Sequence, residues 1–330
     1  MDQNDIKLAI VIPAYKIGHL RQSLESIFDQ TDQRFNLYIG DDGSPEPIGD
    51  IIREFQGRRL FTYHRFPENL GHQSLVNHWH RCIEMTHEPW LWLFSDDDEI
   101  EPGCVAAFYQ TLEETASNSN VYRFNVAIID KQGRIIALDA PHPKWETWRE
   151  SAYFGLRGLR HSVAQGFIFS RASYTQADGF PDYPLAWASD LVGMIEFTGE
   201  KEICLIENAR VRFRNDGQNI SSSDDPDQAR AKLKASQLFI QWFQGYLRRH
   251  EDAAFVLTAD QMSEQAKVWF LATIRKLNTC HGPVECLSLG RFISDLWGGN
   301  RWKHSLMVGK WNLTVINKRI RKWLFRQRAT

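Results

Sequence analysis

The 330-residue sequence holds no apolar run approaching the roughly 18 to 20 residues of a membrane span, so a spanning helix is not expected. Its first residues, MDQNDIK, lack a basic stretch followed by a long apolar one, and a secretory leader is not expected either. The five cysteines, Cys82, Cys104, Cys204, Cys280 and Cys286, are scattered and never spaced as CxxC. Neither a disulfide framework nor a zinc site follows from them, and a reduced, cytoplasmic setting is expected. A large charge of one sign is also missing: the formal net charge is -2, which gives no whole-chain case for a nucleic-acid partner. Repeats and low-complexity segments are absent. What remains is ordinary globular composition, 43% apolar and 24% charged. One local departure hides under the neutral average, because the stretch from Arg301 to the end carries nine Lys or Arg and no acidic residue.

Periodicity then gives the architecture. LAIVI (8–12) is a continuous apolar run, the pattern of a strand buried on both faces, and Pro13 ends it. Leu20, Leu24, Ile27 and Phe28 follow at helical spacing, and FNLYIG (35–40) is a second strand running into Asp41, Asp42, Gly43 and Ser44. A short helix near 48–55 leads to a third strand, LFTYH (60–64). After the Pro67 to Gly71 loop, Leu75, Trp79 and Ile83 mark a helix, and WLWLF (90–94) is a fourth strand ending in Ser95, Asp96, Asp97 and Asp98. This β-α-β-α-β-α-β order predicts a parallel sheet with right-handed crossovers. Further on, Val105, Phe108 and Leu112 predict a helix, and VYRFNVAII (121–129) a strand with a hairpin turn at Asp130 to Gly133. Residues 139–165 read as a long loop with short helices, strands are expected near Gly166 to Ser170 and Ile203 to Ile206, and the chain reads as helical from about Asp227.

The chemistry-bearing residues fall where a parallel sheet places ligands, at the carboxyl ends of strands. Asp41 and Asp42 end the second strand; Asp96, Asp97 and Asp98 end the fourth. Three successive carboxylates repel one another unless a cation joins them or water screens them in a solvated turn. Oxygen ligands suit Mg²⁺ or Mn²⁺, which take part of their coordination from phosphate and water, so a diphosphate-bearing substrate is the natural partner.

In this order, LAIVIPAY, IGDDGSPEP, ENLGHQSLVN and WLWLFSDDDEIEP, over about the first 110 residues, closely resemble the N-terminal half of the family 2 glycosyltransferases. The resemblance implies an α/β chain of the GT-A fold, a Rossmann-like and mostly parallel sheet flanked by helices, with a C-terminal helical extension. It implies a GT-A domain over 1–225, with a nucleotide-sugar-binding half (1–115) and an acceptor half (116–225), and a helical region over 226–330. Pro13, Ala14 and Tyr15 would lie beside the nucleoside, Asp42 on the base, and Asn69, Gly71 and Asn77 along the donor groove. The acidic cluster would be the DxD-type site for Mn²⁺ or Mg²⁺. Ser95 departs from the family, which often has Asp there. Counting back from Pro102 puts Asp97 at the metal-ligand position, with Asp98 as a second metal candidate and Asp96 on the donor side; which carboxylate touches the metal stays open.

The segment PLAWASDLVGMIEF (184–197) is similar to the family's acceptor-site motif, an acid opening a helix, and Asp190 matches it. The family role is general base of an inverting transfer; an Asp there also serves as a helix N-terminal charge, and the two coexist. Asp182 is a rival base. Trp187 is read either as a sugar-stacking face or as core, and Arg214, in VRFRNDGQNIS (211–221), either as a countercharge for the diphosphate or as a solvated strand residue. The histidine frequent in the family near this point is missing. Leu313, Ile316, Ile320 and Trp323 recur at helical spacing among Lys318, Arg319, Arg321, Lys322, Arg326 and Arg328. Such a basic amphipathic helix either lies on the anionic inner face of the cytoplasmic membrane or packs on the domain.

The expectation is therefore a glycosyltransferase moving a sugar from a nucleotide-sugar donor, a UDP-sugar favoured, to a glycan or lipid-linked acceptor, in the setting of polysaccharide or lipopolysaccharide biosynthesis that the family suggests. A non-catalytic GT-A scaffold that binds nucleotide or glycan and recruits partners is the second reading. A nucleotidyltransferase is disfavoured, since VIPAYKIGHLR holds a single glycine where that class has a Gly-rich basic loop.

Overall fold

The computed structural model describes residues 7–59, 61–160, 162–217, 219–222, 225–251, 256–277 and 283–311, and the amphipathic segment expected at 313–323 lies outside them. Among the described residues no helix is long and apolar enough to cross a membrane. The chain divides into two compact units, Met1–Asn219 and Ile220–Thr330.

The first unit begins as its periodicity predicts: β1 (Leu8–Ala14), α1 (Leu20–Phe28), β2 (Phe35–Asp41), α2 (Ile48–Glu54), β3 (Thr62–Arg65), α3 (Leu75–Ile83) and β4 (Trp90–Leu93). These four strands are mutually parallel, in the order β3-β2-β1-β4. The unbroken apolar run of β1 has a direct cause. Leu8, Ile10, Ile12 and Ala14 pack in one cluster with Leu20, Leu24, Ile27, Ile48 and Phe108, while Ala9 and Val11 pack in a second with Val76, Cys82, Phe169 and Phe197. Helices cover both faces, so both parities must be apolar.

The chain continues through β5 (Glu99–Ile100), α4 (Cys104–Glu114), β6 (Val121–Ile129), β7 (Ile135–Leu138), β8 (Trp145–Glu146), α5 (Trp148–Leu156), β9 (Phe167–Ser170), α6 (Arg171–Gln176), α7 (Ser189–Thr198) and β10 (Ile203–Arg214). Here the sheet turns mixed. β9 runs antiparallel to both β4 and β6, β10 is parallel to β6, and the sheet order is β3-β2-β1-β4-β9-β6-β10-β5. The stretch expected as a loop over 139–165 contains β8 and a well-started helix: Thr147 and Glu150 cap α5 reciprocally, each side chain taking the other's backbone N–H. The described cysteines are all buried and free, which removes the disulfide question for them.

The second unit is helical from Pro226, with α8 (Pro226–Arg249), α9 (Ala259–Lys276) and α10 (Pro283–Trp297). Asp225 accepts from the Asp227 and Gln228 amides and Pro226 occupies the first helical turn, an ordinary start signal. Phe239 of α8 meets Trp269 of α9 edge to face at 5.3 Å, and Phe243 stacks on Phe239. This aromatic seam joins the two long helices.

Candidate active site

The carboxyl ends of β1, β2 and β4 lie side by side, and polar side chains tie the loops leaving them. Asp41 is fully buried and accepts from the Ser44 amide (2.8 Å), the Tyr63 hydroxyl (2.7 Å) and Arg65 Nη1 (2.7 Å). It closes the DDGS turn, in which Gly43 takes φ +65°, a conformation that suits glycine. Burial, reinforced by the Asp41 carboxylate, pushes the Tyr63 phenol up to about 12.

Asp42, expected on a nucleobase, is only 2% exposed and faces inward. It accepts from the amides of Leu70 (2.9 Å) and Gly71 (2.8 Å), and from Arg81, whose guanidinium lies 3.8 Å over the Phe66 ring. A side chain at 71 would put its Cβ 2.5 Å from Asp42 Oδ2, so this approach requires glycine. Burial pushes the Asp42 carboxyl up, against the pull of these donors. In this structure, then, Asp42 shapes the loop at Leu70 and Gly71 that was expected to border the donor groove. Asn69 caps the same loop through Oδ1, which accepts from the His72 amide (2.9 Å); Tyr15 and Asn77 are exposed at its margins.

The three acids after β4 have three different environments. Asp96 Oδ2 accepts from the amides of Tyr15 (2.8 Å) and Lys16 (2.9 Å), fastening the β1 exit to the β4 exit. Burial and the neighbouring Asp97 charge push its carboxyl up to about 6. Asp98, a metal candidate from the sequence, is 1% exposed and points into the protein. It accepts from Ser95 Oγ, Gln165 Nε2 and the Arg214 amide (2.6 Å), and burial together with Asp97 raises its carboxyl well above the usual range. Ser95, the departure from the family pattern, thus supplies a hydroxyl donor to Asp98 where an Asp would add a repelling charge. Asp97 alone is half-buried with no hydrogen-bond or ion-pair partner for its carboxylate among the described residues.

Arg214 takes a place that neither sequence reading anticipated. At 1% exposure it is not a solvated strand residue, and its guanidinium is engaged by the protein itself. Nε donates to the Asp97 carbonyl (2.8 Å), Nη1 to the Asp130 carbonyl (2.9 Å) and Nη2 to Glu99. It braces the backbone of the acidic turn. Arg214→Ala should lower the unfolding free energy by about 3–5 kcal/mol, because Glu99 and two carbonyls lose a buried partner. Urea denaturation checks this, and a loss below about 1 kcal/mol would show that the brace is not needed.

Asp190 lies in the first turn of α7, reached through a strained loop. Leu185 (φ 60°), Ala186 (φ 52°) and Ala188 (φ 66°) all occupy the left-handed region, at a cost of about 1–2 kcal/mol each for residues carrying a Cβ. Such strain concentrates at working sites. Asp190 is half-buried, and its burial pushes the carboxyl up to about 6 against the pull of the Leu191 amide and its own. Trp187 is half-buried in the same loop; Asp182 is exposed and accepts from Ser74 Oγ (2.6 Å) and Asn77 Nδ2 (3.4 Å).

Two contacts at this site went unseen in the sequence. Gln165 reaches Asp98 across 67 positions, and His19 meets Asp216 at 3.3 Å across 197. Neither carries a motif. Among the described residues no group of three His, Cys, Asp or Glu gathers closely enough to hold a metal ion by itself.

Comparison with known proteins places this geometry. The sequence model described as Glycosyl transferase family 2 matches residues 9–175. The chain is similar to Glycosyltransferase GlyA of Streptococcus pneumoniae serotype 4, 26% identical over 125 residues that make up 37% of this chain and 18% of that protein. It is similar also to Glycosyltransferase GlyG of the same organism, 25% identical over 124 residues, 36% of this chain and 40% of that one. The chain thus spans less than half the length of these relatives. Among solved structures, S. aureus TarS 1-349 in complex with UDP-GlcNAc superposes with a TM-score of 0.64 at 14% identity, covering 88% of this chain and 81% of that one. The likeness shows a shared fold, the GT-A class with C-terminal helices.

Proposed function

Since this chain belongs to glycosyl transferase family 2, we propose that it moves a sugar from a nucleotide-sugar donor, a UDP-sugar by preference, to a glycan or lipid-linked acceptor with inversion at the transferred carbon. The observation that carries this reading is the Asp97 carboxylate in the turn after β4, which has no partner among the described residues and sits between two acids already engaged by the protein. One free carboxylate fits a hard divalent cation that draws its other ligands from a diphosphate and water; it would not fit a metal held by protein alone. Bound there, Mn²⁺ or Mg²⁺ would supply positive charge to the departing diphosphate. Asp96 and Asp98 hold the turn that presents Asp97. Pro13, Ala14, Tyr15, Asn69 and Gly71 line the loops assigned to the nucleoside and donor, with Asp42 maintaining their shape. The UDP-GlcNAc complex of TarS supports a uridine donor.

Asp190 is assigned the proton. As the acceptor oxygen bonds to the anomeric carbon and the bond to the diphosphate oxygen breaks, the hydroxyl proton passes to its carboxylate. A carboxyl near 6 suits this task, being ionised at neutral pH yet more basic than an exposed Asp. The basic C-terminal segment is assigned to the membrane surface where a lipid-linked acceptor would lie.

A calorimetric titration of UDP-, GDP- and dTDP-sugars with and without Mn²⁺ tests the donor half. A UDP-sugar should bind in a metal-dependent way. Absence of binding by every donor would sink the proposal, and binding without transfer or donor hydrolysis across a panel of acceptors would favour the non-catalytic scaffold.

A further inference from the structure

The loop that carries Asp190 is fastened to the donor-side helix. Ser74, the N-cap of α3, accepts from the Asn77 amide (3.0 Å) and donates its hydroxyl to Asp182 (2.6 Å). Asn77 Nδ2 approaches the second oxygen of Asp182 at 3.4 Å. Three residues further along α3, His80 Nε2 accepts from the Phe180 amide (3.2 Å). The far end of the loop is pinned as well, since the Tyr183 amide reaches Ser189 Oγ at 3.4 Å. Between these fastenings lie the left-handed residues Leu185, Ala186 and Ala188. A backbone in that state persists only where its surroundings over-determine it. On its other side the α3 start continues from the donor loop: the Ser74 and Gln73 amides donate to the Leu70 carbonyl, and the Leu70 and Gly71 amides donate to Asp42.

We infer that Asp182 is a positioning residue, a latch with Ser74 that transmits the seating of the donor loop to the loop bearing Asp190. The inference rests on the reading of Asp190 as the base. Asp182 touches no reacting atom in this role. Its exposed carboxylate holds the strained loop in one conformation by accepting from the helix cap, so its contribution falls on turnover rather than on donor affinity.

The test compares four variants of the full chain by kcat, by donor affinity without acceptor, and by Tm. Asp182→Ala and Ser74→Asp should each lower kcat about tenfold, the effect of a small misplacement of the base, with donor affinity unchanged; Tm should hold in Asp182→Ala and drop modestly in Ser74→Asp, where two carboxylates meet. Ser74→Asp keeps an N-cap acceptor for α3 while setting a carboxylate against Asp182, so the helix is preserved and the latch broken. Asp182→Asn keeps an oxygen for the Ser74 hydroxyl and should restore kcat to near the parent value. Unchanged kcat in both Asp182→Ala and Ser74→Asp would overturn the latch. Equal loss in Asp182→Asn and Asp182→Ala would overturn it too, making Asp182 the proton acceptor. Asp190→Asn, run alongside, separates the two readings: full turnover there defeats the base assignment whatever the latch variants do.

Discussion

Asp190→Asn is expected to abolish transfer and, at pH 7, to make the protein more stable. The loss of turnover follows from removing the proton acceptor, a role whose removal typically costs about 10²–10⁴-fold. The gain follows from burial. Asp190 is pushed up to about 6, above the ordinary Asp value near 3.9 that the unfolded chain keeps. Between those values the folded protein binds the proton that the unfolded chain has released, so folding is progressively disfavoured as pH rises from about 4 to about 6. Above that window the carboxylate is charged in both states and its full desolvation penalty is present. Replacing it with a neutral amide should recover about 1–3 kcal/mol at pH 7 and almost nothing below pH 4. Thermal melts at the two pH values check the sign, and an equal effect at both would mean that burial is not what raises this group. In the unsubstituted enzyme kcat should fall as pH drops through about 6, for the same reason. If Asp190→Asn retains more than a tenth of the parent turnover, the base lies elsewhere.

Asp97→Asn should lower turnover by about 10²–10³-fold, the scale for removing one electrostatic stabiliser of developing charge. It should also erase the difference between donor binding with and without Mn²⁺. The ligand-free Tm should not fall, because among the described residues the Asp97 carboxylate has no hydrogen-bond or ion-pair partner to lose, and removing its charge relieves the repulsion it exerts on Asp96 and Asp98. Asp96→Ala gives the contrast: the Asp96 carboxylate takes the Tyr15 and Lys16 amides, so its loss should loosen the loop and weaken the donor's grip while metal dependence persists. Undiminished metal dependence in Asp97→Asn would refute the ligand assignment.

The first half of the fold was legible because β1 and β4, at the centre of the parallel part of the sheet, are buried on both faces and so write themselves as the apolar runs LAIVI and WLWLF. The remainder of the first unit was less so. β5 and β8 are two residues long and show no period, and the antiparallel insertion of β9 depends on pairing across the sheet that no local pattern encodes. Within the site, sequence order located the acids but not their orientation. Asp96, Asp97 and Asp98 are chemically identical neighbours, and what distinguishes them comes from positions 15, 165 and 214. Arg214 shows the same limit: a basic residue on a strand reads as solvated or ligand-facing, and only the packing of Glu99 and Asp130 around it turns it inward.

That inward arginine bears on the order in which the protein assembles. The three acids are in place on the chain by residue 98, yet the guanidinium that fixes their backbone arrives 117 positions after Asp97, with the last residue of β10. Closing so long a loop is entropically demanding, and contacts of this range form late. The acidic turn should therefore stay unset until β10 docks beside β6, and an incompletely folded chain would not present the proposed cation ligand Asp97 in its final setting. A fragment ending at residue 175, where the family match stops, would carry every acid of the turn but not Arg214, the brace that holds the Asp97 carbonyl.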